Sequence, residues 1–166
     1  MDESALTQEP YLCKSWVKRG RQAQVTAPAG LHWTLHIFGG LNVMDGTLCC
    51  TLADRRNSDS FIVWLEQLMT VTYPTQNVAL VLDNASYHRS ALSQAAVSLF
   101  APRLQLFFLP PHSPELNPIE PYWAHLKRRV AGNHLCGGLA ETRERVHLHI
   151  QHQNDLQAID RYTMCN

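Results

Sequence analysis

The stretch that decides the fold is the apolar run Val78-Ala79-Leu80-Val81-Leu82, which ends at Asp83. A short, continuous apolar run of this kind predicts a strand buried on both faces, as in the middle of a parallel sheet. Apolar residues recur with helical spacing on either side of it, at positions 61–69 and 92–100. The sequence therefore predicts an α/β fold in which helices flank a mixed sheet.

Outward from this strand, further elements can be placed. Residues 31–38 and 46–52 are strand-like, and the Asp45-Gly46 turn between them predicts an antiparallel hairpin. Residues 104–109 form a third apolar strand, stopped by two prolines. A helix is expected from Asn117 as N-cap with Pro118 at its first position. The segment from 139 to 161 favours a helix, and residues 1–30 are expected to be irregular.

Composition limits the function classes. The chain has 166 residues and a formal net charge of zero, which favours one globular domain and gives no overall basic charge. Five cysteines without a CxxC pattern indicate neither a zinc ribbon nor a disulfide framework. No signal peptide or membrane-spanning stretch is predicted. A reducing, cytoplasmic compartment is the expectation.

Two carboxylates stand where a metal site would form. Asp83 closes the buried strand, and Glu120 opens a helix after a proline-rich loop. Both can converge on a hard cation such as Mg²⁺, and a third carboxylate, Asp2 or Glu3, would complete a two-metal site for phosphoryl transfer. Structural roles remain open: Asp83 could form a turn with its own backbone, and Glu120 could complete a capping box with Asn117. The long loop between strand and helix favours function.

Basic residues follow Glu120 along the same helix. Lys127 comes two turns later, and Arg128 and Arg129 extend the basic end. They could hold nucleic-acid phosphates near the metals. They could equally be a solvated helix C-terminus that complements the helix dipole.

Three stretches of sequence resemble one known family. They are Asp83-Asn84-Ala85-Ser86-Tyr87-His88, Leu109-Pro110-Pro111-His112-Ser113-Pro114-Glu115-Leu116-Asn117-Pro118-Ile119-Glu120 and Trp123-Ala124-His125-Leu126-Lys127. They resemble the DDE-type transposases of bacterial insertion sequences related to mariner elements. Asp2-Glu3-Ser4 looks like the start of the same catalytic domain, and the resemblance covers nearly the whole chain.

The resemblance implies a ribonuclease-H-like fold and a catalytic triad of Asp2, Asp83 and Glu120 that holds two Mg²⁺ or Mn²⁺ ions. It implies cleavage of DNA at transposon ends, followed by attack of the freed 3′-hydroxyl on target DNA. DNA-contacting residues are then expected at Asn84, His88, His112, Lys127, Arg128 and Arg129. A bacterial protein associated with the nucleoid, acting as a homo-oligomer, is the corresponding expectation.

The chain also departs from the family pattern. The N-terminal helix-turn-helix region is absent from residues 1–166, and the first strand, which should precede the first Asp, is expected to be largely missing. We therefore expect a single, N-terminally truncated catalytic domain whose Asp2 is poorly held. It could work with a companion or full-length transposase chain.

Two alternatives stay open beside the active transposase domain. One is an inactive or regulatory remnant that binds DNA or full-length transposase. The other is a metal-dependent nuclease without strand transfer. If Asp2 cannot reach the other two carboxylates, the inactive or regulatory remnant is favoured. Joined DNA as the product indicates a transposase, and DNA that is only cut indicates a nuclease.

Overall fold

The computed structural model describes residues 1–22, 24–25, 32–111 and 113–164. The strands in these residues are β1 (Asp2–Thr7), β2 (Thr34–Leu41), β3 (Leu48–Ala53), β4 (Val78–Leu82) and β5 (Leu104–Phe108). The α-helices are α1 (Ser58–Gln67), α2 (Ala91–Leu99), α3 (Glu120–Ala131) and α4 (Leu139–Met164). The α/β class and the predicted order of hairpin, helix, strand, helix, strand, helix, helix are confirmed.

The sheet consists of two parts that meet at the start of β1. Strands β1, β2 and β3 pair antiparallel in that order, while β4 and β5 form a parallel pair. The N-terminal ammonium of Met1 donates a hydrogen bond of 2.7 Å to the carbonyl of Val81 in β4. The start of β1 and the end of β4 are therefore neighbours.

The first strand corrects two expectations. Residues 1–30 are not all irregular, and the first strand is not largely missing, because Asp2–Thr7 pairs residue by residue with β2. Glu3, Ser4 and Leu6 are buried within it. The stretch lacks a run of apolar residues, so its strand conformation depends on pairing with β2 rather than on local sequence.

The helices cover the two faces of the sheet unequally. One buried cluster joins β2 and β4 to α1, with Phe61, Trp64 and Leu65 at its centre. The second joins β1 and β2 to α3 and α4, with Trp123 and Val146 among its members. Since α3 and α4 pack against β1 and β3, they leave one face of β4 open. The predicted burial of β4 on both faces is therefore wrong: Leu80 and Leu82 are buried, but Ala79 and Val81 are exposed.

Two glycines inside β2 let two tryptophans approach the sheet. A Cβ on Gly39 would overlap the ring of Trp123, and a Cβ on Gly40 would lie 2.8 Å from the ring of Trp64. Neighbouring residues of a strand face opposite sides, so the two rings pack on opposite faces of β2. Both rings belong to the buried core.

None of the described helices is long and apolar enough to cross a membrane.

Candidate functional site

Asp2 lies at the start of β1 with its side chain partly buried. The indole nitrogen of Trp123 donates a hydrogen bond of 3.0 Å to its Oδ2 atom. Burial, with the negative charges of Glu120 and Glu3, raises the pKa of Asp2 to about 6. The expectation that Asp2 is poorly held is therefore wrong, because pairing within the sheet and the Trp123 hydrogen bond fix it.

Asp83 is the first residue after β4, as the sequence predicted. Its Oδ1 atom accepts a hydrogen bond of 2.9 Å from the backbone N–H of Ala85, the local turn that was left open above. The same atom lies 3.1 Å from Nδ1 of His88. The side chain is 41% exposed, so it can still reach a ligand outside the fold.

Glu120 is the first residue of α3, and its side chain is exposed. A carboxylate at this position is favoured by the positive end of the helix dipole. The predicted N-cap is wrong: Ile119 occupies the cap position without a side-chain hydrogen bond. The Asn117 amide instead donates a hydrogen bond of 3.2 Å to the carbonyl of Met1, which ties the loop before α3 to the start of β1.

These contacts bring the three predicted carboxylates to one edge of the sheet. Trp123 follows Glu120 by three residues and shares its helix face, so the hydrogen bond to Asp2 brings the start of α3 over the start of β1. The Met1–Val81 hydrogen bond places the start of β1 beside the strand that ends at Asp83. After burial, the negative charges of Glu120 and Glu3 contribute to the raised pKa of Asp2 at this edge.

A tighter group of ionisable side chains lies beside this edge. Glu3, Asp83 and His88 each offer a ligand atom within 4.8 Å of the others, the sole such group in the described part of the chain. The two nitrogens of the His88 ring lie 3.1 Å from Glu3 and 3.1 Å from Asp83. The side chains of Glu3 and His88 are almost completely buried. The ring therefore links a buried carboxylate to the partly exposed Asp83.

Two further side chains surround Glu3. The Arg56 guanidinium lies 3.7 Å from its Oε2 atom and donates a hydrogen bond of 3.0 Å to the Tyr87 hydroxyl. Burial, followed by the contact with Glu3, raises the pKa of Tyr87. The sequence had offered Glu3 as an alternative to Asp2, and Tyr87 lies in one of the stretches that resemble the family, but no pattern pointed to Arg56.

The predicted DNA-contacting residues occupy different environments. Arg128 and Arg129 are exposed on α3, and Lys127 is partly buried. Asn84 donates a hydrogen bond to the carbonyl of Leu109 and so ties the end of β4 to the end of β5. His112 lies outside the described residues.

His88 occupies a different position from the DNA contact predicted for it. Its side chain is fully buried, and both ring nitrogens contact carboxylates, so it has no surface to offer DNA in this arrangement. The His88 ring instead contacts the Asp83 carboxylate and helps to position it.

Comparisons with known proteins show the family to which this chain is similar. Residues 1–141 match the model of a protein family described as DDE superfamily endonuclease. The chain is 26% identical over 145 residues to the insertion element IS630 uncharacterized 39 kDa protein of Shigella sonnei. That match covers 87% of this chain and 42% of the relative, so the chain spans less than half of that protein's length.

Solved structures show the same fold. The chain resembles the Mos1 transposase paired-end complex with left transposon end, with a TM-score of 0.69 and 16% identity over 90% of this chain and 46% of that one. It also resembles the Mos1 mariner paired end complex with Mn, with a TM-score of 0.60 and 14% identity over 95% of this chain and 52% of that one. The predicted ribonuclease-H-like fold is confirmed.

Proposed function

Because the chain belongs to the DDE superfamily of endonucleases, we propose that it is the catalytic domain of an insertion-sequence transposase that cuts DNA and transfers its strands. Two observations support this proposal: Asp2 lies near enough to Glu120 for their charges to interact, and the start of β1 is bonded to β4 two residues before Asp83. The partial burial of Asp2 beside Glu120 adds weight, because like charges are costly to hold together without a cation.

The three carboxylates suit a pair of Mg²⁺ or Mn²⁺ ions. These ions take oxygen ligands, and when bound they would neutralise charge on the attacking and leaving oxygens of a phosphodiester. Asp2 would enter such a site from β1, Asp83 from the end of β4 and Glu120 from the first turn of α3. The ends of the strands and the start of the helix set the backbone positions of all three residues.

Neighbouring side chains fix the direction of the Asp2 and Asp83 carboxylates. Trp123 donates a hydrogen bond to the Oδ2 atom of Asp2, and His88 lies between the Asp83 carboxylate and the buried Glu3. Support of this kind around metal ligands orients them and tunes their basicity. We assign Trp123, His88 and Glu3 to positioning.

DNA is the proposed substrate and partner. The exposed Arg128 and Arg129 extend along α3 from Glu120, where they would contact backbone phosphates. Pairing of two transposon ends would require a homo-oligomer during the reaction. A companion or full-length transposase chain is a further proposed partner, and association with the bacterial nucleoid follows from a DNA substrate.

The test is a DNA-cleavage assay on supercoiled plasmid with Mn²⁺, followed by a strand-transfer assay on the cleaved product. Wild-type chain should nick the plasmid, while Glu120→Gln should lose nicking and keep its fold. Glu115→Gln, which removes an exposed carboxylate just before α3, is the matched control and should stay active.

The products separate the three readings. Joined DNA supports a transposase, whereas cleaved DNA alone supports a nuclease. DNA binding without cleavage in wild-type chain would support a regulatory role and contradict the proposal. Equal nicking by Glu120→Gln would contradict the site assignment.

A further inference from the structure

Arg89 is an exposed arginine whose side chain is held beside the end of β4, where Asp83 lies. Its guanidinium carbon lies 4.4 Å from the centre of the Phe108 ring, which is a cation–π contact. Its Nη2 atom donates a hydrogen bond to Oδ1 of Asn84, the residue that follows Asp83. Phe108 is the strand partner of Leu82, the residue that precedes Asp83. The guanidinium is therefore held from two sides at this edge of the sheet.

Among the residues that the structure describes, no carboxylate lies within ion-pair distance of Arg89. A guanidinium carries five N–H donors and stays charged in proteins. The hydrogen bond to Asn84 is the one that this side chain makes within the described part of the chain. Arg89 is thus ordered and charged, and most of its donors are available to an anion from outside the fold.

The neighbouring Asn84 amide is already engaged within the protein. Its Nδ2 atom donates a hydrogen bond to the Leu109 carbonyl, and its Oδ1 atom accepts the one from Arg89. Asn84 is also less exposed than Arg89. Of these two side chains, Arg89 is therefore the one with donors directed to solvent.

The carboxylates at this edge repel a phosphodiester. Asp2 lies near enough to Glu120 for their charges to interact, and Asp83 follows the neighbouring strand. Bound metal ions would offset part of this charge, and a fixed cation near Asp83 would attract a further phosphate of the same strand. The planar guanidinium suits a phosphate because two of its N–H groups bond two oxygens at once.

We propose that Arg89 binds a backbone phosphate of the DNA strand that lies at the carboxylate site. The free edge of the guanidinium bonds the phosphate oxygens, while Phe108 supports its face and Asn84 holds its other edge. A phosphate contact of this kind fixes the register of the strand without reading its sequence. The inference rests on the proposed function for its substrate and adds a residue that holds this substrate.

The test measures binding of a fluorescently labelled DNA duplex to the full chain. Ca²⁺ replaces Mn²⁺ to neutralise the carboxylates, and a gel confirms that the duplex stays uncut. Dissociation constants are taken from about 50 to 200 mM salt, because each phosphate contact adds to the salt dependence of binding. Arg89→Gln should bind about ten-fold more weakly, since it loses a charge-assisted hydrogen bond.

The salt dependence separates a phosphate contact from a structural role. In Arg89→Gln the slope of log Kd against log salt concentration should fall by about one. A variant that only disturbs the fold nearby would bind more weakly at every salt concentration and keep the wild-type slope. Arg89→Lys keeps the charge but loses the planar fork, so it should keep the slope and bind with intermediate affinity.

Two further variants complete the comparison. Arg143→Gln removes a guanidinium on α4 that hydrogen-bonds Asp54, and it should match the wild-type chain in affinity and slope. Arg89→Met removes the charge and keeps an apolar stem against Phe108, so it should give the same loss of slope as Arg89→Gln. Circular dichroism checks that each variant is folded, and Arg89→Met decides if Arg89→Gln is not.

An unchanged slope in a folded Arg89→Gln or Arg89→Met chain would overturn the inference. So would an equal loss of slope in Arg143→Gln, or a wild-type chain that does not bind the duplex. Failure of the proposed function is read separately, on plasmid with Mn²⁺. A wild-type chain that binds DNA with the Arg89-dependent slope but cuts none would contradict the cleavage activity and leave the phosphate contact supported.

Discussion

The indole nitrogen of Trp123 donates a hydrogen bond to the carboxylate of Asp2 across 3.0 Å, and the two residues stand 121 positions apart in the chain. This contact joins the first turns of α3 to the start of β1. It brings Glu120 and Asp2 close enough for their charges to interact. The candidate site therefore depends on a tryptophan that is otherwise a core residue.

Replacing Trp123 with Phe should weaken metal binding while most of the core packing remains. The ring stays against Gly39, but Asp2 loses its orienting donor, and loss of such support typically costs about 10–100-fold in metal affinity or activity. Isothermal calorimetry with Mn²⁺ measures the change. The matched control is Trp64→Phe, which removes a buried indole hydrogen bond to the Cys49 carbonyl on the opposite face of β2. Equal losses in both variants would contradict a specific role for Trp123.

Gly39→Ala should impair the site by displacing the Trp123 ring, which donates the hydrogen bond to Asp2. The added Cβ would overlap the Trp123 ring, so the ring must move and its hydrogen bond to Asp2 must lengthen or break. Overpacking of a core typically costs about 1–3 kcal/mol, and we expect that loss in urea unfolding together with weaker Mn²⁺ binding. Gly138→Ala has open space around its added Cβ and should change neither measurement. Unaltered Mn²⁺ affinity in a folded Gly39→Ala chain would argue against the coupling.

The ring of His88 should contribute to stability through both of its carboxylate partners. His88→Leu removes a hydrogen-bond partner of the buried Glu3, and leaving a buried polar group without its partner costs about 1–3 kcal/mol. The double variant Glu3→Leu with His88→Leu should recover part of that loss, because both buried polar groups are then removed together. Urea unfolding of the four chains gives the coupling energy. Additive losses would show that the two side chains do not stabilise each other.

The raised pKa of Asp2 predicts a pH-dependent penalty in the metal-free chain. The pKa of this carboxyl is raised from 3.8 to about 6, so the folded chain binds the proton more tightly than the unfolded chain does. The stabilisation that comes from the protonated Asp2 carboxyl is therefore lost as the pH rises from 3.8 to about 6. Above that pH the ionised carboxylate lowers the stability of the fold by its full amount. After allowance for solvent screening, its size is on the order of 1–2 kcal/mol.

Asp2→Asn should consequently be more stable than the wild-type chain at pH 7.5 and equally stable near pH 4. Unfolding midpoints in urea across this range provide the comparison. Asp155→Asn changes an exposed carboxylate on α4, and its stability relative to the wild-type chain should not depend on pH in this way. A less stable Asp2→Asn chain at pH 7.5 would contradict the proposed charge repulsion at the site.

Local sequence predicted those parts of the fold that have local causes. The apolar run before Asp83, the Asp45-Gly46 turn and the apolar faces of the helices depend on neighbours in the chain. The strand β1 was missed because its strand conformation comes from pairing with β2, more than 25 positions away at its nearest end. The cap at α3 was missed because the Asn117 side chain bonds Met1 instead of the helix.

The site was predicted in outline but not in its supporting contacts. Asp83 and Glu120 were placed by their positions at a strand end and a helix start. The contact between Glu3 and His88 joins residues 85 positions apart, and no local pattern in either segment indicates it. Contacts of this kind follow from the packing of the whole domain.

The measurement that tests the central claim most directly is calorimetric titration of Mn²⁺ into the wild-type chain and three variants at pH 7.5. The variants are Asp2→Asn, Asp83→Asn and Glu120→Gln, and Glu115→Gln serves as the exposed control. We predict saturable binding in the wild-type and control chains, and at least ten-fold weaker binding in each of the three variants. Unchanged binding in any folded member of the three, or no binding in the wild-type chain, would contradict a metal site built from these carboxylates.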